Sequence, residues 1–153
     1  MIVRTTTVNE ATPEEIWPLL CQSRIEGGSS RLFRLGLPRP LECRLPSGPG
    51  EVGATRQCIS DRGTIRQRIT TWEPPRLLKF RMEESDLPVG KILTELDEEF
   101  RLEELEPGRT RLTRMTRARG TGIAFHILKP ALCCGLRTIH RHVFAGWARG
   151  RSR

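Results

Sequence analysis

Three side chains able to ligate a metal, His126, Cys133 and His140, recur at intervals of seven residues. On a helix that interval returns to the same stripe, so the spacing invites a metal site. The rise forbids it. Seven helical residues climb about 10.5 Å, whereas two ligands of one zinc ion each lie about 2 Å from the metal. His142 falls on a different side of the helix from His140. No metal and no cofactor are therefore expected. The sequence carries no P-loop, no Cys-x-x-Cys pair, no paired carboxylates and no Ser-His-Asp arrangement. Cys133-Cys134 reads as helix packing, and the odd total of five cysteines as reduced thiols.

The other residues that could do chemistry are a carboxylate and a guanidinium, Glu98 and Arg114. Each interrupts an otherwise apolar strand face. In a solid core an unpaired polar group costs about 1–3 kcal/mol; in a wet cavity it does not. The two could pair with each other, or meet the polar end of a ligand. As a pair they are the catalytic candidates, with Glu98 moving a proton and Arg114 steadying an enolate oxygen.

These side chains depend on strands to aim them. "IVRTTTV" is rich in β-branched residues and reads as a first strand. "EATPEEIWPLL" follows, with a capping box from Thr12 to Glu15 and Pro13 at the first helical position. Pro18 predicts a kink or early end to that helix. Residues 23–50 suggest a second short helix, an edge strand at "LECRL" and a turn at "PSGPG". Strands are then expected over 52–60, 64–72, 76–83, 92–105 and 109–119. The double proline Pro74-Pro75 reads as a stiff, open strand connection. From Thr121 the period changes. Leu128, Leu132, Gly135, Leu136, Ile139, Val143 and Trp147 recur at helical spacings, so a long last helix is expected, with a bend at Pro130.

Strand side chains alternate between faces. Parity places Ile69 with Gln67, Phe80 with Leu78 and Met82, and Phe100 and Leu102 with Leu96 and Glu98. For 109–119 two registers stand. A two-residue hairpin at Pro107-Gly108 turns Met115 inward; a three-residue loop keeps Leu112 and Arg114 inside. Trp72 reads as the cap of a sheet edge, and Trp17 and Trp147 as core or cavity-rim anchors.

The order and spacing of "ATPEEIWPLL", "GPGEVGATRQC", "ITTWEPPRLLKFRM" and "FRLEELEPGRTRLT", ahead of a long last helix, resemble the START/Bet v 1-like superfamily. Within it the chain is most similar to the bacterial polyketide cyclase/dehydrase and lipid-transport families. The resemblance implies an α+β helix-grip fold: a curved seven-stranded antiparallel sheet around a long C-terminal helix, with two short N-terminal helices and a cavity between sheet and helix. It transfers no catalytic residue, because members bind lipids, sterols, polyketides, quinones or plant hormones and only a minority catalyse cyclisation or dehydration.

The expected function is binding or carriage of a small hydrophobic ligand of lipid, polyketide or other polycyclic type. Ile69, Phe80, Met82, Phe100, Leu102 and Leu112 would wall the site from the sheet, and Leu132, Leu136, Ile139 and Val143 from the helix. The first alternative is a cyclase/dehydrase-type enzyme using Glu98 and Arg114.

The second alternative, a partner- or nucleic-acid-binding module, rests on the net charge of +8, carried by 23 arginines and three lysines. That charge is spread through the strands rather than gathered in a block, which disfavours nucleic acid. The chain of 153 residues suits one domain, with 148–153 a flexible basic tail. No apolar run approaches the ~20 residues of a membrane span, and "MIVRTTTVNE" lacks an apolar signal core, so a cytoplasmic protein is expected. The oligomeric state, monomer or dimer, is left open.

Overall fold

The computed structural model describes residues 1–28, 30–46 and 48–151. Strand β1 (Ile2–Asn9) is followed by helix α1 (Pro13–Cys21), strand β2 (Ser23–Arg24) and helix α2 (Arg31–Arg34). Strands β3 (Pro40–Arg44), β4 (Thr55–Ser60), β5 (Thr64–Glu73), β6 (Leu77–Ser85), β7 (Leu93–Glu106) and β8 (Arg109–Gly120) come next. Helix α3 (Gly122–Arg151) ends the described chain. All strands join one antiparallel sheet in the order β1-β8-β7-β6-β5-β4-β3-β2. It has eight strands rather than seven. The addition is β2, a two-residue edge paired with Glu42 and Cys43, in the stretch where sequence periodicity was weakest.

Helix α1 starts as the capping box dictates. Glu15 N donates to Thr12 Oγ1 at 3.2 Å, and Thr12 N donates to Glu15 Oε2 at 3.3 Å. Pro18 lies inside the helix, which ends three residues later at Cys21. Ile16 and Leu20 are fully buried and bring α1 down onto the inner face of the sheet. Thr12→Ala should cost about 1 kcal/mol, read as a small drop in the urea midpoint with an unchanged slope.

The β7–β8 hairpin resolves the register question in a way neither alternative contained. Its loop has two residues, Pro107 and Gly108, between the partners Glu106 and Arg109. A bulge at Leu105 then makes Glu104 the partner of Thr110, and from there Leu102 faces Leu112 and Phe100 faces Arg114. One extra residue reverses parity, so Leu112 and Arg114 are inside despite the short loop. The double-proline junction is also tighter than an open connection. Arg76 N donates to Glu73 O at 2.8 Å, and the Pro74-Pro75 peptide is cis.

On the outer face many of the charges are paired. Arg66 pairs with Glu84, Arg68 with Glu83, Lys79 with Glu99, Arg81 with Asp97 and Arg111 with Glu103. Such exposed pairs contribute about 0–1 kcal/mol each, but they leave the strands without a bare basic stripe.

Helix α3 is continuous through Pro130 and on to Arg151. The segment expected as a flexible tail is therefore helical through Arg151. Arg149 Nη2 donates to Glu26 O at 2.6 Å, and Arg151 reaches Asn9 Oδ1; the last two residues lie outside the described chain. By length and composition alone α3 could cross a membrane. Scattered charges keep each of its apolar runs short. In the fold α3 packs against β1, β3 and β8.

Candidate functional site

Between the inner face of the sheet and α3 lies a cavity of about 530 Å³. Its helix wall comes from Leu132, Leu136, Ile139, Val143 and Trp147, and Phe100 faces them from β7. The segment after α2 closes one side through Leu37 and Pro38. Gly135 permits that closure, because a Cβ there would stand 3.0 Å from Leu37 Cδ1.

Five of the ten residues expected to wall the site do so: Phe100, Leu132, Leu136, Ile139 and Val143. The other five do not line it. Ile69, Phe80, Leu102 and Leu112 are buried in the solid core with Ile16 and Leu20 of α1. Met82 packs half-buried against Leu93, Leu96 and Phe125 in a second, smaller cluster. Parity identifies the inner face correctly for all of them; it does not reveal which part of that face α1 covers. Phe80 is further screened by Arg56, whose guanidinium carbon lies 4.4 Å from the ring centre.

Glu98 and Arg114 meet at the cavity wall as a bidentate pair. Arg114 Nε donates to Glu98 Oε2 at 2.7 Å and Nη2 to Oε1 at 2.8 Å. Only 6% of Glu98 and 8% of Arg114 is exposed. Burial pushes the Glu98 carboxyl up, but the charge and hydrogen bonds of Arg114, with Arg56 behind them, outweigh it and hold the group below 4.5. Arg114 in turn stays charged: burial works against it, and Glu98 more than compensates. A carboxylate held this way is a poor proton donor near neutral pH.

A second guanidinium, Arg56 on β4, was missed by the sequence reading. It donates to Leu20 O from Nε (3.1 Å) and Nη2 (2.9 Å), and to Gln67 Oε1 from Nη1 at 2.7 Å. This explains how Gln67 is tolerated on an apolar face. The signal lies in "ATRQC", where Arg56 and Cys58 share the parity of an inner strand face. Cys58 and its β3 neighbour Cys43 also line the cavity.

His140 and His142 are structural. His140 is fully buried, with Nε2 2.7 Å from Thr116 Oγ1 and Nδ1 2.9 Å from Thr5 Oγ1, tying α3 to β8 and β1. Burial, with the charge of Arg114, pushes it down to about 3, so it is neutral. His142 Nε2 donates to Pro40 O at 3.1 Å and its ring packs edge-on to Phe33. His126 is exposed. Among the described residues no three of His, Cys, Asp and Glu are grouped to hold a metal. Trp147 anchors the cavity end, with its ring centre 5.7 Å from that of Phe100 and Nε1 donating to Ser23 Oγ at 2.8 Å. Trp72 packs edge-on against Trp17 at 5.1 Å.

A curled antiparallel sheet gripping one long helix, with an apolar cavity between them, defines the helix-grip architecture. The chain belongs to the polyketide cyclase/dehydrase and lipid transport family, whose model matches residues 1–143. Among solved structures it is similar to a START superfamily protein from Mycobacterium smegmatis, with a TM-score of 0.68 and 12% identity over 98% of this chain and 95% of that one. It is also similar to the Zhui aromatase/cyclase from Streptomyces sp. R1128, with a TM-score of 0.62 and 18% identity over 100% and 96%. At these identities the likeness concerns the fold. No curated protein matches the chain by sequence.

Proposed function

We propose that the protein binds or carries a small hydrophobic ligand, of lipid or polycyclic type, in the cavity between sheet and α3. The observation that carries this reading is the cavity itself. Its walls are mainly aliphatic and aromatic, and its few polar groups are gathered on the sheet side, the usual composition of a small-molecule site. The locked Glu98–Arg114 pair supports binding over acid–base turnover. Both carboxylate oxygens are engaged, and the carboxyl is held on its charged side.

The test is direct. A fluorescent fatty acyl or polycyclic probe should bind the native protein. Leu136 is half-buried and lines the cavity, so Leu136→Trp projects a larger ring into the space and should weaken probe binding about tenfold or more, equivalent to about 1.4 kcal/mol. Its melting temperature should remain close to the parent's. If no apolar probe binds, the carrier reading fails.

The family description and the aromatase/cyclase neighbour supply the second reading, an enzyme of cyclase/dehydrase type. In that case Glu98→Gln, compared at equal folded fraction because it also breaks the buried pair, would reduce turnover of a polyketide substrate about 100-fold, while a binder would keep its affinity.

A further inference from the structure

Cys43 on β3 and Cys58 on β4 are direct Cα partners across an antiparallel pair. Both residues line the cavity, Cys43 buried and Cys58 half-buried. Arg56 precedes Cys58 by two residues on the same strand face, and Arg114 and Glu98 complete this side of the cavity. The structure thus gathers two thiols and two guanidinium groups where an apolar ligand would present its polar end.

We propose that the Cys43–Cys58 pair is a nucleophilic site that captures apolar α,β-unsaturated ketones as covalent thioethers. The inference rests on the reading that the cavity binds apolar ligands. Cys43 is the nucleophile and Cys58 holds the proton. The Cys43 thiolate attacks the β-carbon of the bound enone, and an S–C bond forms as the C=C π bond breaks. The electron pair moves to the carbonyl oxygen as an enolate, on the side of the cavity that Arg56 and Arg114 line. The Cys58 thiol protonates the α-carbon, and the Cys58 thiolate recovers a proton from water. The net change is addition of S–H across C=C, with no oxidant or reductant.

The charged surroundings favour this division of labour. The neighbouring Cys58 thiol brings Cys43 down to about 6, against burial and the charge of Glu98 and with help from Arg56 and Arg114. The neighbouring Cys43 and burial push Cys58 up. Cys21, by contrast, is pushed up to about 11 by burial, and only a thiolate is an effective nucleophile. Cys133 and Cys134 lie on α3, and neither lines the cavity.

The experiment uses the full chain carrying Cys133→Ser and Cys134→Ser, hexyl vinyl ketone as the enone and ethyl hexyl ketone as its saturated counterpart. Intact-mass and peptide-mapping spectrometry should show one adduct per chain, on Cys43. It should form about tenfold faster than on free cysteine at mildly acidic pH. Excess ethyl hexyl ketone should suppress it, and Cys43→Ser should abolish it while retaining the parent's circular dichroism. Cys58→Ala should still be labelled on Cys43, with the half-maximal pH of labelling moved upward.

An adduct on Cys58 or Cys21, an adduct that ethyl hexyl ketone does not suppress, or an unshifted pH profile in Cys58→Ala overturns the proposal. If ethyl hexyl ketone displaces a fluorescent apolar probe but hexyl vinyl ketone leaves no adduct, the thiol site fails and ligand binding stands. If neither ketone displaces the probe, the binding reading fails and the thiol site with it.

Discussion

Replacing Arg114 with methionine will lower the unfolding free energy by about 3–5 kcal/mol, because it leaves a buried carboxylate without its partner. Both members of the pair are more than nine-tenths buried, and Arg114 satisfies both Glu98 oxygens. Without the guanidinium, burial dominates and pushes the Glu98 carboxyl above its ordinary value. The loss should therefore be largest near neutral pH and shrink in acid, where Glu98 in the variant takes up a proton. Combining Arg114→Met with Glu98→Gln should recover most of the loss, since a neutral pair carries no uncompensated charge. Urea denaturation of the four proteins of this cycle measures it. A single variant within about 0.5 kcal/mol of the parent would show that the pair is not the electrostatic anchor of this face.

The second large effect is acid sensitivity that begins well above the carboxylate range. His140 is neutral in the fold with its pKa depressed to about 3, from 6.5 when unfolded. Between those values the unfolded chain binds the extra proton. Stability is therefore fully present above 6.5 and is lost as pH falls toward 3, at a slope approaching about 1.4 kcal/mol per pH unit. His142, also depressed by burial against its bond to Pro40 O, adds a smaller part with the same sign. Glu98, held below 4.5, keeps its contribution until the pH falls through that range. His140→Gln can still bond one of its two threonines and removes the titration. It should start less stable than the parent but lose much less between about pH 6.5 and 4.5. Equal losses in parent and variant would sink the assignment.

What the sequence disclosed, and what it hid, follows from the range of each signal. The capping box at Thr12, the alternation on β5 to β8 and the helical stripe from Leu132 to Trp147 are local patterns, and each appears in the fold. The helix wall of the site was legible for the same reason. The sheet wall was not, because Ile69, Phe80, Leu102 and Leu112 share the inner face with Phe100 but lie where α1 packs. Where one element covers another is a tertiary fact that no strand records. The two-residue strand β2 escaped because so short a pairing has no period to detect. The meeting of Cys43 with Cys58 depends on the register between β3 and β4, which an irregular connection separates.

The bulge at Leu105 has a bearing on how such a chain can change over generations. A second irregularity, between Leu93 and Glu95, interrupts β7 at its other end. Between them, residues 95–104 pair with 110–119 in constant register and carry most of the inward groups that β7 and β8 contribute to the core and cavity, Leu93 being the exception. The irregularities work like slip joints at either end of a fixed scale. A residue gained or lost at the Pro107-Gly108 tip can be absorbed by reshaping the bulge, without exchanging inside for outside along the whole ribbon. Hairpin length is thereby released from the constraint on lining chemistry, and the tip is free to drift in length and sequence while Glu98, Phe100, Leu112 and Arg114 hold their places.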